Sequence, residues 1–285
     1  MMPDEPLDPA RLRALLAFYA DAGVDTALEE EPQNRFAEAP PAKPEPSSAT
    51  AEARAPSRES APSRPRPTAT PAAVPDEAQA ARARELARQA GSLEELKAIL
   101  AEFDGCNLKY TAKNLVFADG NPEADLMLVG EAPGRDEDLQ GLPFVGRSGK
   151  LLDRMLAAIG RDRTSAYISN VIPWRPPGNR DPSPLETEIC RPFIERHIEL
   201  AHPKVLVTLG NPSTKLLLQT QTGIMRMRGN WAVHTTPGGL EIPTLPTLHP
   251  AYLLRNPAHK RLAWRDFLAI KAKLRELSGS PRPED

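Results

Sequence analysis

Three short segments concentrate the side chains that do chemistry. The first, GEAPGRDEDLQGLPFVGR, runs from Gly130 to Arg147. Its glycines let backbone approach a ligand closely, while Glu131, Asp136, Glu137 and Asp138 crowd four carboxylates into eight residues. A phosphate cradle would not favour so much negative charge, and the spacing matches neither a dinucleotide GxGxxG nor a Walker loop. A nucleotide cofactor is therefore not expected, and a solvated acidic turn with Phe144 in the core is the plain alternative. The second segment, SNVIPWRPPGNRDPSP, offers Asn170, whose amide both donates and accepts and suits the edge of a planar ligand, or else simply a turn. Arg175 and Arg180, with prolines between them, form a stiff basic loop suited to phosphates or to solvent. The third, LHPAYLLRNPAHKR, carries His249, followed by a proline expected to stop regular structure, then Leu253, Leu254 and Arg255 on a short loop. A lone histidine is more often structural than catalytic; the leucines beside an arginine suit an apolar wedge or the underside of a helix.

Each segment follows a continuous apolar run. DLMLVG (125–130), AYISNVI (166–172), KVLVTLG (204–210) and IPTLPTLH (242–249) have the composition of strands buried on both faces. Helical patterns lie between them at 149–159, 185–201 and 212–219, with a last one at 258–276. Trp231 to Thr235, a Pro-Gly-Gly turn and Leu240 to Pro243 form an expected hairpin. The alternation implies an α/β fold with a mostly parallel sheet, in which ligands bind beyond the carboxyl ends of the strands.

Composition divides the 285 residues. Of 32 prolines, fourteen precede residue 76, about as many as a whole chain of this length ordinarily holds. Residues 1–30 hold a short amphipathic helix at 8–20, capped by Asp8 with Pro9 in its first turn, and an acidic run. Residues 31–75, rich in Pro, Ala and Ser, are expected to be a disordered linker. Residues 76–102 are a helical lead-in, with Ser92 and Glu95 capping its second helix; residues 103–276 form the folded domain and 277–285 a disordered tail. The formal charge of −2 splits into −6 for residues 1–103 and +4 for 104–285, compatible with a polyanionic partner. No apolar run reaches the roughly 20 residues of a membrane span, and the opening MMPDEPLDP is neither basic nor apolar, so a cytoplasmic monomer is expected. Cys106 and Cys190 are too few for a disulfide framework or a four-thiolate metal site.

Taken together, GEAPG with ED and PFVGR, then N-x-x-x-x-RPPGNR, then HPAYLLR resemble the uracil-DNA glycosylase superfamily, specifically its family 4, over roughly residues 103–275. The resemblance implies a three-layer α/β/α fold around a four-stranded, mostly parallel sheet. It also implies a monofunctional hydrolase of base excision repair, which flips uracil from DNA and cleaves its N-glycosidic bond. Carried over, Glu131, Asn170 and His249 are catalytic: Glu131 near sugar and water, Asn170 on uracil O4 and N3–H, His249 on O2. Gly130, Phe144 and Glu137 complete the uracil site, Phe144 by stacking and Glu137 by filling the place of the thymine methyl. Arg135, Arg147, Arg175, Arg180, Leu253, Leu254, Arg255, Lys260 and Arg261 are expected at the DNA, and a protein partner at the amino-terminal helix. The alternative is a non-catalytic DNA- or polymerase-associated protein on the same fold.

The family pattern includes four cysteines on a 4Fe-4S cluster. Here the four positions fall on Phe103, Cys106, Trp174 and Cys190. Two thiolates cannot hold that cluster in the usual manner, so no cofactor is expected, the two cysteines are remnants, and the aromatic rings fill the vacated space.

Overall fold

The computed structural model describes residues 76–279. The helix expected at 8–20, the linker at 31–75 and residues 280–285 of the tail lie outside them. Strands β1 (Ala118–Gly120), β2 (Leu126–Gly130), β3 (Tyr167–Asn170), β4 (Val205–Leu209), β5 (Ala232–Thr235) and β6 (Glu241–Thr247) form one sheet in the order β1-β3-β2-β4-β6-β5. The middle four strands are mutually parallel, as the apolar runs imply, and antiparallel β1 and β5 close the two edges. The expected four-stranded sheet is thus six-stranded. The edge β1 escaped notice because three half-buried residues, Ala-Asp-Gly, carry no apolar run.

Alternate residues of each inner strand feed opposite cores. Met127 and Val129 of β2 face one layer, made by α1 (Asp76–Gln89), α2 (Leu93–Glu102) and α6 (Pro184–Ala201). Leu126 and Leu128 face the other, made by α5 (Arg147–Ala158) and α10 (Lys260–Leu277). Period-two alternation with both faces apolar is what turns a continuous apolar run into the middle of three layers. Ser92 caps α2 by accepting the Glu95 N–H at 3.2 Å. The two helices expected as a lead-in are part of the same core: Ala83, Ala87 and Ala90 are buried in it, and Arg196 on α6 holds the Ala90 carbonyl at 2.7 and 3.0 Å.

Short helices complete the chain: α3 (Leu108–Thr111), α4 (Arg135–Gln140), α7 (Asn211–Leu217), α8 (Ile224–Met227) and α9 (Pro250–Arg255). Residues 250–255 are helical rather than a loop. Proline at the first helical position lacks only an N–H that would have no intrahelical partner, so Pro250 starts the helix instead of stopping structure. From β2 the chain goes to β3 on one side and then to β4 on the other. That reversal opens a crevice at the carboxyl end of β2.

Candidate active site

The crevice is a cavity of about 530 Å³, lined among others by Glu131, Phe144, Asn170, Gly210, Met225 and His249. Asn170 ends β3 and pairs in register with Gly130 at the end of β2. A side chain at 130 does not fit, because a Cβ there would lie 2.4 Å from Asn170 Oδ1 and 2.6 Å from the Phe144 ring. Asn170 is 4% exposed, and its Oδ1 is buried without a hydrogen-bond partner. Leaving such an acceptor unpaired costs about 1–3 kcal/mol, a cost that a ligand N–H can relieve.

Phe144 holds a backbone φ of 54°, in the left-handed region that large side chains rarely adopt. The first turn of α5 packs directly on its carbonyl: a Cβ at Gly149 would lie 1.6 Å from the Phe144 oxygen. The ring joins the α5/α10 core on one side and the cavity on the other, with its centroid 5.4 Å from that of His249.

His249 follows β6 and caps α9, its Nδ1 accepting the Ala251 N–H at 3.1 Å. Burial, aided by the Arg255 charge, lowers its pKa to about 4. At neutral pH the ring is therefore uncharged, and with Nδ1 accepting, the proton sits on Nε2. Glu131, one residue past β2, is half-buried, and burial together with the Asp181 carboxylate pushes its pKa upward.

Two of the clustered acids are not solvated, although Asp136 is exposed. Glu137 is buried, accepting the Gly134 N–H at 3.1 Å and the Val145 and Gly146 N–H groups at 3.0 Å each. Asp138 is buried as well and accepts the Lys113 and Asn114 N–H groups at 2.7 and 3.2 Å. Carboxylates replace water as partners for irregular backbone at 113–114, 134 and 145–146. The whole arrangement can clamp a flat polar ring: an aromatic ring, an amide that donates and accepts, an uncharged N–H donor and a carboxylate of raised basicity converge on one space.

The family model of the uracil DNA glycosylase superfamily matches residues 117–268, more than half of the chain. The chain belongs to the uracil-DNA glycosylase superfamily. The type-4 uracil-DNA glycosylase of Sulfurisphaera tokodaii is 40% identical over 196 residues, covering 67% of this chain and 87% of that protein. The type-4 enzyme of Archaeoglobus fulgidus is 38% identical over 196 residues, 67% of this chain and 96% of its own. That of Thermotoga maritima is 36% identical over 193 residues, 64% and 97% respectively.

Phe103, Cys106, Trp174 and Cys190, the four positions that the resemblance assigns to a cluster, lie in one buried core. None is more than 2% exposed, and Phe103 meets Phe193 edge-on at 5.0 Å. A thiol–thiol interaction with Cys106, together with burial, pushes Cys190 well up and keeps it protonated. Two of the four side chains offer no metal ligand. Among the described residues, no group of three or more His, Cys, Asp or Glu is placed to hold a metal ion. These residues do not fit a cysteine-ligated iron–sulfur cluster.

The cationic residues of the glycosylase surface divide. Arg135, Arg147, Leu254 and Arg255 line a second hollow that shares Glu137 and Ser148 with the cavity. Arg180 reaches the cavity but is held by both Glu186 oxygens, at 2.6 and 2.9 Å. Arg175 turns to Asn179 Oδ1 at 2.6 Å, and Lys260 and Arg261, which open α10, line neither hollow. Leu253 is no exposed wedge: it is 1% exposed and packs with Leu248 and Ala263, because α9 turns that face inward. Sequence reasoning missed Ile224 and Met225, which line the cavity from α8, Met225 being 50% exposed. Their element hangs on α10 through Arg228, which bonds Asp266 and, at 2.8 Å, the Leu262 carbonyl. An exposed methionine on a four-residue helix leaves no periodic signal.

Proposed function

We propose that this chain is a monofunctional uracil-DNA glycosylase that works without an iron–sulfur cluster. It extrudes uracil from DNA and hydrolyses the C1′–N1 bond, giving free uracil and an abasic site for base excision repair. Flipping costs a few kcal/mol, which stacking on Phe144, at about 1–3 kcal/mol, helps to offset. Asn170 accepts the uracil N3–H on its orphaned Oδ1 and donates to O4. Cytosine presents the reverse pattern and would leave those buried groups unpaired. Glu137 closes the C5 side. Its carboxylate is tied to three backbone N–H groups, so it cannot swing aside for a thymine methyl. As the bond breaks, charge develops on uracil O2, and the Nε2–H of neutral His249 donates to it. Glu131 orients the attacking water and stabilises the cationic sugar. Arg135, Arg147 and Arg255 lie nearest for phosphates, and Leu254 replaces Leu253 as the leucine at the surface.

The orphaned Asn170 amide carries this reading. A non-catalytic DNA-associated protein could keep the sheet, but it would gain nothing from a buried unpaired acceptor in the cavity that also holds an uncharged imidazole donor. The test is release of free uracil from a uracil-containing oligonucleotide, with iron analysis on the same preparation. Uracil release from an iron-free protein is expected. A failure to release uracil overturns the activity, and stoichiometric iron with a visible absorption band overturns the cluster-free part alone.

A further inference from the structure

We infer that Arg163 is a positioning residue for the reaction, a guanidinium clamp that holds Phe144 in its left-handed conformation and so sets the stacking ring. This rests on the assignment of Phe144 as the residue that stacks on uracil. Arg163 lies in the turn between α5 and β3 and does not itself line the cavity. Its Nη1 donates to the Pro143 carbonyl at 3.1 Å, and its Nη2 donates to the Phe144 carbonyl. The same guanidinium pairs with Asp119 on β1 and, through Nε at 2.9 Å, with Asp153 on α5. One planar fork thus ties together an edge strand, a helix and the two carbonyls that precede and follow the Phe144 φ angle.

The anchor itself is built to be rigid. Asp162 accepts the Thr164 N–H at 3.0 Å and donates its own N–H to Ser165 Oγ at 2.9 Å, an Asx-type turn that fixes the backbone around Arg163. Gly120, at φ 98°, lets this turn lie on β1, since a Cβ there would be 2.9 Å from the Arg163 carbonyl and 2.2 Å from that of Ala166. A strained residue persists only where its surroundings over-determine it. Gly149 provides the space for the Phe144 carbonyl, and Arg163 provides the donor. Lysine could neutralise Asp119 but lacks the planar fork that spans two carbonyls and two carboxylates.

Single-turnover cleavage of a uracil-containing oligonucleotide at saturating enzyme separates this role from mere stability. Arg163→Met should slow cleavage by about 10- to 100-fold, the range expected when a catalytic contact is misplaced by an ångström, and Arg163→Lys should recover part of it. In a Phe144→Ala background, Arg163→Met should cost nothing further, because the clamp then has no ring to position. A full additional loss in that background, or an unchanged rate for Arg163→Met in the intact enzyme, overturns the proposal. Asp153→Asn alters a carboxylate that is 46% exposed and keeps the test available where Arg163→Met does not fold. A roughly 2- to 5-fold loss that vanishes with Phe144→Ala supports the clamp, and an unchanged rate overturns it. If the unaltered enzyme releases no uracil, the functional assignment fails instead, and the two failures are distinct.

Discussion

Phe144 and Asn170 in the cavity at the strand ends are buried like the Phe103–Cys106–Trp174–Cys190 layer, yet the two regions obey opposite rules. In the aromatic layer every exposed-surface penalty has been removed: the side chains are apolar or weakly polar, almost fully buried, and rings meet edge-on. In the cavity a buried amide oxygen has no partner, a phenylalanine sits at positive φ, and glycines admit contacts that no Cβ would permit. Burial alone does not distinguish a core from a site. Local cost that the surroundings uphold does.

The comparison predicts which property each region controls. Phe103→Ala should produce the largest change, about 3–5 kcal/mol lost in urea unfolding for a buried aromatic side chain. Its single-turnover rate per folded molecule should stay near that of the unaltered chain. A rate falling well beyond the folded fraction would show that the aromatic layer also shapes the cavity. His249→Ala and Asn170→Ala should do the reverse, lowering the cleavage rate by about 10²–10³-fold, as for loss of one oxyanion donor, with little shift in the urea midpoint. Unchanged rates would break the distinction from the other side.

Acid sharpens the contrast with smaller effects. Burial lowers His197 to about 3 and also lowers His234, so the native state refuses protons that the unfolded chain accepts below its ordinary value of 6.5. Stability therefore falls as pH drops through that value, by about 1.4 kcal/mol per pH unit for His197, with His234 acting in the same direction. The cleavage rate should instead follow Glu131, whose raised pKa places the loss of carboxylate above the usual 4.5. His249, already near 4, should add no titration around neutrality. Urea midpoints and single-turnover rates measured in the same buffers between about pH 5 and 7 test both; a rate step near 6.5 would mean that His249 is more solvated than its packing implies.

Much of the frame was legible because its signals are local. Val129, Asn170 and Leu248 could be placed at strand ends from apolar runs, and Ser92 from its spacing to Glu95. The α9 helix was not, since Pro250 signals both a stop and a first turn, and only the packing of Leu253 on Ala263 selects the second. The acidic cluster was ambiguous for the same reason. Nothing in the order of Glu131, Asp136, Glu137 and Asp138 says which will meet backbone N–H groups at 145–146 or 113–114.

By itself the sequence determined the parallel sheet and the residues at its carboxyl ends, because these depend on residue type and on spacing along a few turns. Tertiary structure alone decided that Leu253 is core, that Met225 lines the cavity and that Arg163 grips the Phe144 turn. Those outcomes depend on which distant donors and acceptors meet. Arg163 reaches carbonyls about 20 residues away and a carboxylate 44 residues away, and only the packed sheet brings them within one guanidinium's span.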